Sequence, residues 1–181
     1  MILKLRLAFL LGCALILAGC VTPTKYAATN SASNEKLRAA QITYYLGRPP
    51  SVGVFTFRSS AEKDKAALLQ QVNEDTQQLT RQLGNSVPKQ LIAAFKKRGV
   101  KGGAEETVFI KPVSALGSPN RHDLILKLEI SVKTSDRTKP QWTAEISESS
   151  VPGDLSGEKL SAILTDRILS ELSKAGFIPA E

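Results

Sequence analysis

Five large apolar residues at strictly alternating positions, Leu124, Leu126, Leu128, Ile130 and Val132, constrain this chain more than any other feature. Lys127, Glu129, Ser131 and Lys133 stand between them. A helix would scatter the apolar set around its circumference, whereas a strand gathers it on one side. Residues 123–134 therefore read as a strand in a sheet with one wet face and one face against a core. Residues 141–149 repeat the pattern with Trp142, Ala144 and Ile146 inward. The polar stretch 135–140 between them has the length of a hairpin turn. Glu145 and Glu148 have opposite parity in the second strand, so they should point to opposite faces.

The layer that covers such a sheet is helical. Leu79, Leu83, Val87, Leu91 and Phe95 recur every four residues, with Ile92 and Ala94 beside them. Pro88 interrupts this run. Either a helix starts there, capped by Asn85 or Ser86, or a longer one continues through a kink. The second is preferred, giving a helix over about residues 75–98. Gly99 then takes the left-handed cap position and Val100 reaches back to Phe95. A second helix, over about residues 157–175, carries Leu160, Ile163, Leu164, Ile168 and Leu172 on one face. Gly176 ends it in the same way, with Phe177 placed against Leu172.

Residues 51–58 are apolar on both faces, with Val52 and Val54 on one and Phe55 and Phe57 on the other, which suits a central strand. Residues 59–65 are polar and read as a loop, and residues 107–111 as a short strand. Residues 37–46 are ambiguous. Ile42, Tyr44 and Leu46 alternate like a strand while residues 36–41 favour helix, before Pro49 and Pro50 punctuate the chain. The order strand, helix, strand, long hairpin, helix predicts an α+β two-layer sandwich. Its two helices pack on one face of a mainly antiparallel sheet, and residues 51–181 form a single domain.

The other end of the chain is of a different kind. Lys4 and Arg6 precede an apolar run over residues 7–17. That run is shorter than the roughly 20 residues that span a bilayer and has the form of a cleavable export signal. It leads into Leu17-Ala18-Gly19-Cys20, which resembles the lipobox of bacterial lipoproteins. The resemblance implies that Leu17, Ala18 and Gly19 are read by a signal peptidase, that residues 1–19 are removed, and that the Cys20 thiolate takes a diacylglycerol group. Acyl chains such as palmitate would then hold the protein on a membrane. Val21, where an aspartate would otherwise stand, implies the outer membrane, with the domain facing the periplasm. An ordinary secretory signal followed by a chance cysteine is the alternative. A transmembrane anchor fits less well, because Thr22, Thr24 and Lys25 end the apolar run without a stop-transfer pattern. Residues 20–50 are read as a lipidated tether and lead-in. Residues 21–35 are rich in Thr, Ala, Asn and Ser, and such a flexible stretch reaches roughly 20 Å.

Processing changes the arithmetic of charge and sulfur. The 24 Lys and Arg lose Lys4 and Arg6, leaving 22 against 17 acidic residues and a net +5, short of a nucleic-acid-binding signature. Of the two cysteines, Cys13 leaves with the signal, so Cys20 can form neither an internal disulfide nor a cysteine metal cluster. His122 is the sole histidine, and its neighbour Asp123 would point away from it in a strand. Gly99, Gly102 and Gly103 around Lys101 match no phosphate-loop spacing and follow a helix rather than precede one. Glu105 and Glu106 read as solvated surface. The expectation is a protein with no catalytic residues, no cofactor and no metal.

A lipid tether followed by a small two-layer sandwich resembles several envelope lipoproteins. These include the lipopolysaccharide-transport assembly lipoprotein, the penicillin-binding-protein activators and the amino-terminal domain of TolB. That likeness, over about residues 51–178, implies binding to an envelope protein as an assembly or regulatory accessory subunit. Two surfaces are candidates for the contact. Lys96, Lys97, Arg98 and Lys101 form a basic patch, although basic residues at a helix end are also expected for dipole reasons. Tyr44 and Tyr45 are adjacent and cannot both point inward from a strand. The rival expectation is a module holding a lipid or glycan between the helices and the sheet.

Overall fold

The computed structural model describes residues 36–54, 62–117, 124–150 and 157–179. The elements are β1 (Ala39–Tyr44), β2 (Ser51–Val54), α1 (Glu62–Lys97), β3 (Lys101–Gly102), β4 (Glu106–Gly117), β5 (Leu124–Thr134), β6 (Trp142–Ser149) and α2 (Glu158–Lys174). The strand order is β3-β1-β4-β5-β6, with β2 also paired to β4. β4, β5 and β6 form two long antiparallel ladders, and Leu128 sits opposite both Pro112 and Ile146. The three pairings made by β1 and β2 are parallel, so the sheet is mixed. The two-layer α+β class is the one the alternation demands.

β1 and β2 behave as one interrupted strand. They follow each other along the same edge of β4, Ile42 opposite Val108 and Val52 opposite Ala115. The excursion between them, residues 45–50, coincides with an irregularity between Pro112 and Ser114 in the β4–β5 ladder. Proline has no N–H to give to a ladder, and an extra residue beside it lets the strand bend and continue. β4 thus runs on well past the five residues that the sequence suggested. β2 pairs β4 alone among the described residues, so it is not central. The folded unit also takes in residues 37–50, because β1 lies inside the sheet and Leu37 N–H donates to Phe177 O at 2.8 Å.

All five alternating residues of β5 are buried. They meet Leu83, Val87, Leu91 and Phe95 of α1 and Leu160, Leu164, Ile168 and Leu172 of α2 in one continuous core. α1 starts 13 residues before the expected residue 75 and includes Pro88. Its buried Thr76 and Thr80 hydroxyls donate to the carbonyls of Val72 and Thr76 at 2.6 and 2.8 Å, which satisfies them within the helix. Both helices end alike. Gly99 and Gly176 have φ near +80°, at 79° and 81°. Val100 N–H donates to Phe95 O at 3.0 Å, and Phe177 N–H to Leu172 O at 2.9 Å, the bonds of a Schellman cap. Phe177 then packs edge-on against Trp142, with ring centroids 5.6 Å apart. Ile163 departs from expectation, because it is exposed beside the apolar face of α2 rather than part of it.

The two helices are clasped by polar groups. Gln90 Nε2 donates to Ser161 Oγ at 3.0 Å, and Thr165 Oγ1 donates to Gln90 Oε1 at 2.9 Å. On the sheet, Glu145 pairs with Lys127 at 2.7 Å on the outer face, while Glu148 pairs with Arg167 of α2 at 3.2 Å. The opposite parity of the two glutamates is thus realised.

Candidate functional site

The end of α1 lies beside the start of β1 because the chain turns sharply twice there. After the Gly99 cap, β3 runs parallel to β1 for two residues, with Lys101 N–H donating to Arg38 O at 3.0 Å. The chain must then cross β1 to begin β4 on its other side. Gly103 makes this crossing, where an added Cβ would lie 2.7 Å from Ala39 Cβ. Glu106 secures the crossing: its carboxylate accepts the N–H groups of Arg38 and Ala39 at 3.2 and 3.3 Å. It is buried and structural rather than part of a solvated pair with Glu105.

These turns leave an open groove of about 740 Å³ between the last turns of α1 and the β1 edge. Its floor and walls are Ile42, Ile92, Phe95 and Val100, and Lys96 and Lys101 stand on its rim. Ile92 is 56% exposed, the largest exposure among the big apolar side chains of the described residues. It follows Leu91 directly, so it stands about 100° around the helix from the buried stripe. Both rim lysines are exposed, and no carboxylate of the described residues lines the groove.

The basic patch is therefore divided. Lys96 and Lys101 line the groove, Lys97 and Arg98 do not, and Arg98 Nη1 donates to Ala94 O at 3.3 Å. The tyrosine pair is divided too. Tyr44 turns inward opposite Ile110, and its ring lies over Gly84, where an added Cβ would come within 3.2 Å of it. Its hydroxyl is buried without a hydrogen-bond partner among the described residues, and burial pushes its pKa well above the ordinary tyrosine value. Tyr45 remains exposed and lines a smaller hollow of about 290 Å³ with Arg48, Pro49, Pro50 and Arg81. Leu17, Ala18, Gly19, Cys20, Phe55, Phe57 and His122 lie outside the described residues.

The space between helices and sheet, where a lipid or glycan was considered, is filled by side chains such as Leu83, Leu91, Ile110 and Leu128, all with no exposed surface. Ile42, Ile92 and Val100 were not singled out for a site by the sequence. The only sign of it was an isoleucine just off the regular stripe of α1. Among the described residues no cluster of His, Cys, Asp and Glu could hold a metal, and no helix is long and apolar enough to cross a membrane.

No sequence-family model and no curated protein matches this chain. The architecture defines its class, an open two-layer α+β sandwich. Solved structures of similar layout include a point variant of the PelC dodecamer from Paraburkholderia phytofirmans, 8% identical, with 85% of this chain and 96% of that one covered and a TM-score of 0.39. A DUF330 protein from Xanthomonas campestris is 11% identical over 84% and 94% of the two chains, with a TM-score of 0.42. Lipoprotein GNA1162 from Neisseria meningitidis is 11% identical over 76% and 99%, with a TM-score of 0.28. At such scores each is a resemblance of layout, and no property of those proteins passes to this chain.

Proposed function

We propose that this chain is a lipid-anchored lipoprotein of the bacterial envelope, held at the outer membrane and facing the periplasm. In this reading it is non-enzymatic and binds an envelope protein as an assembly or regulatory accessory subunit. The anchor sequence Leu17-Ala18-Gly19-Cys20 supports the first part. The observation that carries the second is the groove beside β1, which combines exposed apolar surface with two rim lysines. Exposed apolar patches rimmed by polar groups are characteristic of contact surfaces. The anchor raises local concentration near a membrane-bound partner without adding any contact.

Chemical crosslinking of the native protein in cells, with Cys20→Ala as control, tests this reading. One dominant envelope protein that is lost with the anchor is the expected result. Normal membrane localisation with no protein captured would refute it. The volume of the groove favours one competing function, the binding of a lipid or glycan at that place instead of in the filled interior. Native mass spectrometry of the membrane-extracted protein distinguishes it by a bound small molecule.

A further inference from the structure

One wall of the groove is main chain. On the β3 side Lys101 N–H donates to Arg38 O, and on the β4 side Tyr45 N–H donates to Ile110 O at 2.8 Å. Successive residues of a strand turn their N–H and C=O groups to opposite edges, so the even-numbered residues of β1 face β3. β3 is paired only with Ala39 and Ala40. The N–H and C=O groups of Ile42 and Tyr44 therefore face an edge that no described strand covers. An uncovered strand edge is a template for another strand, and here it lies along an apolar trough.

We propose that the groove receives an extended segment of a partner protein, added as a strand beside β1. Its apolar side chains would lie over Ile42, Ile92, Phe95 and Val100, and its Asp or Glu carboxylates would meet Lys96 and Lys101. This rests on the accessory-subunit reading and names its surface. Strand addition uses main-chain bonds for affinity and alternate side chains for specificity. Residues of the added segment that turn toward α1 fill the trough, which must be filled by something apolar. The charge follows from the rim, which among the described residues offers two cations and no carboxylate.

A second copy of this chain is a poorer occupant. Among the described strands the other end of the sheet is β6, whose inward Ala144 and Ile146 are only 1% and 2% exposed. That edge would bring only the half-buried Trp142 as a large apolar side chain to the trough.

The test places a photocrosslinker in the full lipidated chain in cells, as Ile92→p-benzoylphenylalanine, with the same substitution at Lys133 on the outer sheet face as control. Crosslinked peptides are then sequenced. The expected product at Ile92, absent at 133, is a partner segment with at least two Asp or Glu residues among alternating apolar ones. Its yield should fall about tenfold or more with Lys96→Glu and Lys101→Glu together. It should recover when the carboxylates of the segment are replaced by lysines. Both lysines are exposed, so an unchanged circular dichroism spectrum and melting temperature separate lost binding from unfolding. Capture of a second copy, of a lipid or of residues 20–35 overturns the proposal, as does a yield indifferent to charge reversal. If chemical crosslinking still finds an envelope partner while Ile92 captures nothing, the groove is wrong and the accessory reading stands. If neither captures a protein, both fall.

Discussion

Replacing Tyr44 by phenylalanine should stabilise the protein, against the usual effect of trimming a buried side chain. The ring lies over Gly84 and opposite Ile110, contacts that phenylalanine keeps. What disappears is a buried hydroxyl with no hydrogen-bond partner among the described residues. An unsatisfied buried donor costs about 1–3 kcal/mol relative to its hydrated state. Tyr44→Phe should therefore gain about 1 kcal/mol at neutral pH. With a urea slope near ~1.5 kcal/mol/M, that moves the unfolding midpoint by about 0.7 M. Trp142 is the single tryptophan and stacks edge-on against Phe177, so its fluorescence reports loss of the core.

A second arm uses pH. The Tyr44 phenol has a raised pKa in the folded state, caused by burial. Above about pH 10, the usual phenol value, the unfolded chain releases this proton while the folded one keeps it. The folded state then binds more protons, so wild-type stability falls as pH rises, by up to about 1.4 kcal/mol per unit. The advantage of Tyr44→Phe should widen from pH 10 to 11.5. A variant less stable than wild type at neutral pH, or an advantage that stays flat over that range, would refute the reasoning.

Two further substitutions probe the packing that holds the layers together. Gly117→Ala places a methyl group into Val72 where α1 crosses the end of β4, and overpacking of this kind should cost about 1–3 kcal/mol. In thermal denaturation that is a fall of several degrees, at about 2–4 °C per kcal/mol. Gln90→Ala leaves the buried hydroxyl of Thr165 without its acceptor and should cost about 1–2 kcal/mol. The same change made on a Thr165→Val background should cost clearly less. A double-mutant cycle with no coupling between the two positions would show that the clasp contributes nothing.

Much of this fold could be read directly from the chain wherever one face of an element is dry and the other wet. Leu124 to Val132, the Gly99 and Gly176 caps and, apart from the exposed Ile163, the Leu160 to Leu172 stripe landed where the sequence put them. The first turns of α1 were not visible for the opposite reason. Residues 64–71 lie mostly in solvent, so nothing imposes an apolar period on them, and good helix formers such as Lys65, Ala66, Ala67 and Leu68 extend the helix without one. Pro112 hid the second half of β4, because a proline ends a strand in sequence but in the sheet only bends it past an irregular step. β1 stayed ambiguous because its inward side, Ala40, Ile42 and Tyr44, is only partly dry and offers too few positions to choose between periods.

The groove was less legible than the fold, and for a reason that applies to any site at a sheet edge. Its apolar members come from positions 42, 92, 95 and 100, and what unites them is that β3 stops after two residues. Sequence periodicity reports which side of an element faces the core, but an open edge is perpendicular to that side, so it leaves no periodic trace. The sequence picked out Lys96 and Lys101 by charge, and grouped with them Lys97 and Arg98, which lie in the same helix end for dipole reasons. The structure separates the four by place: two border apolar surface, one lies outside the groove, and one bonds its own helix. A cation beside an unfilled apolar trough has a different consequence from a cation at a helix end, since only the first can help choose which extended segment lies along β1. The charge reversal at Lys96 and Lys101 therefore carries more information than any broader scan of the basic residues.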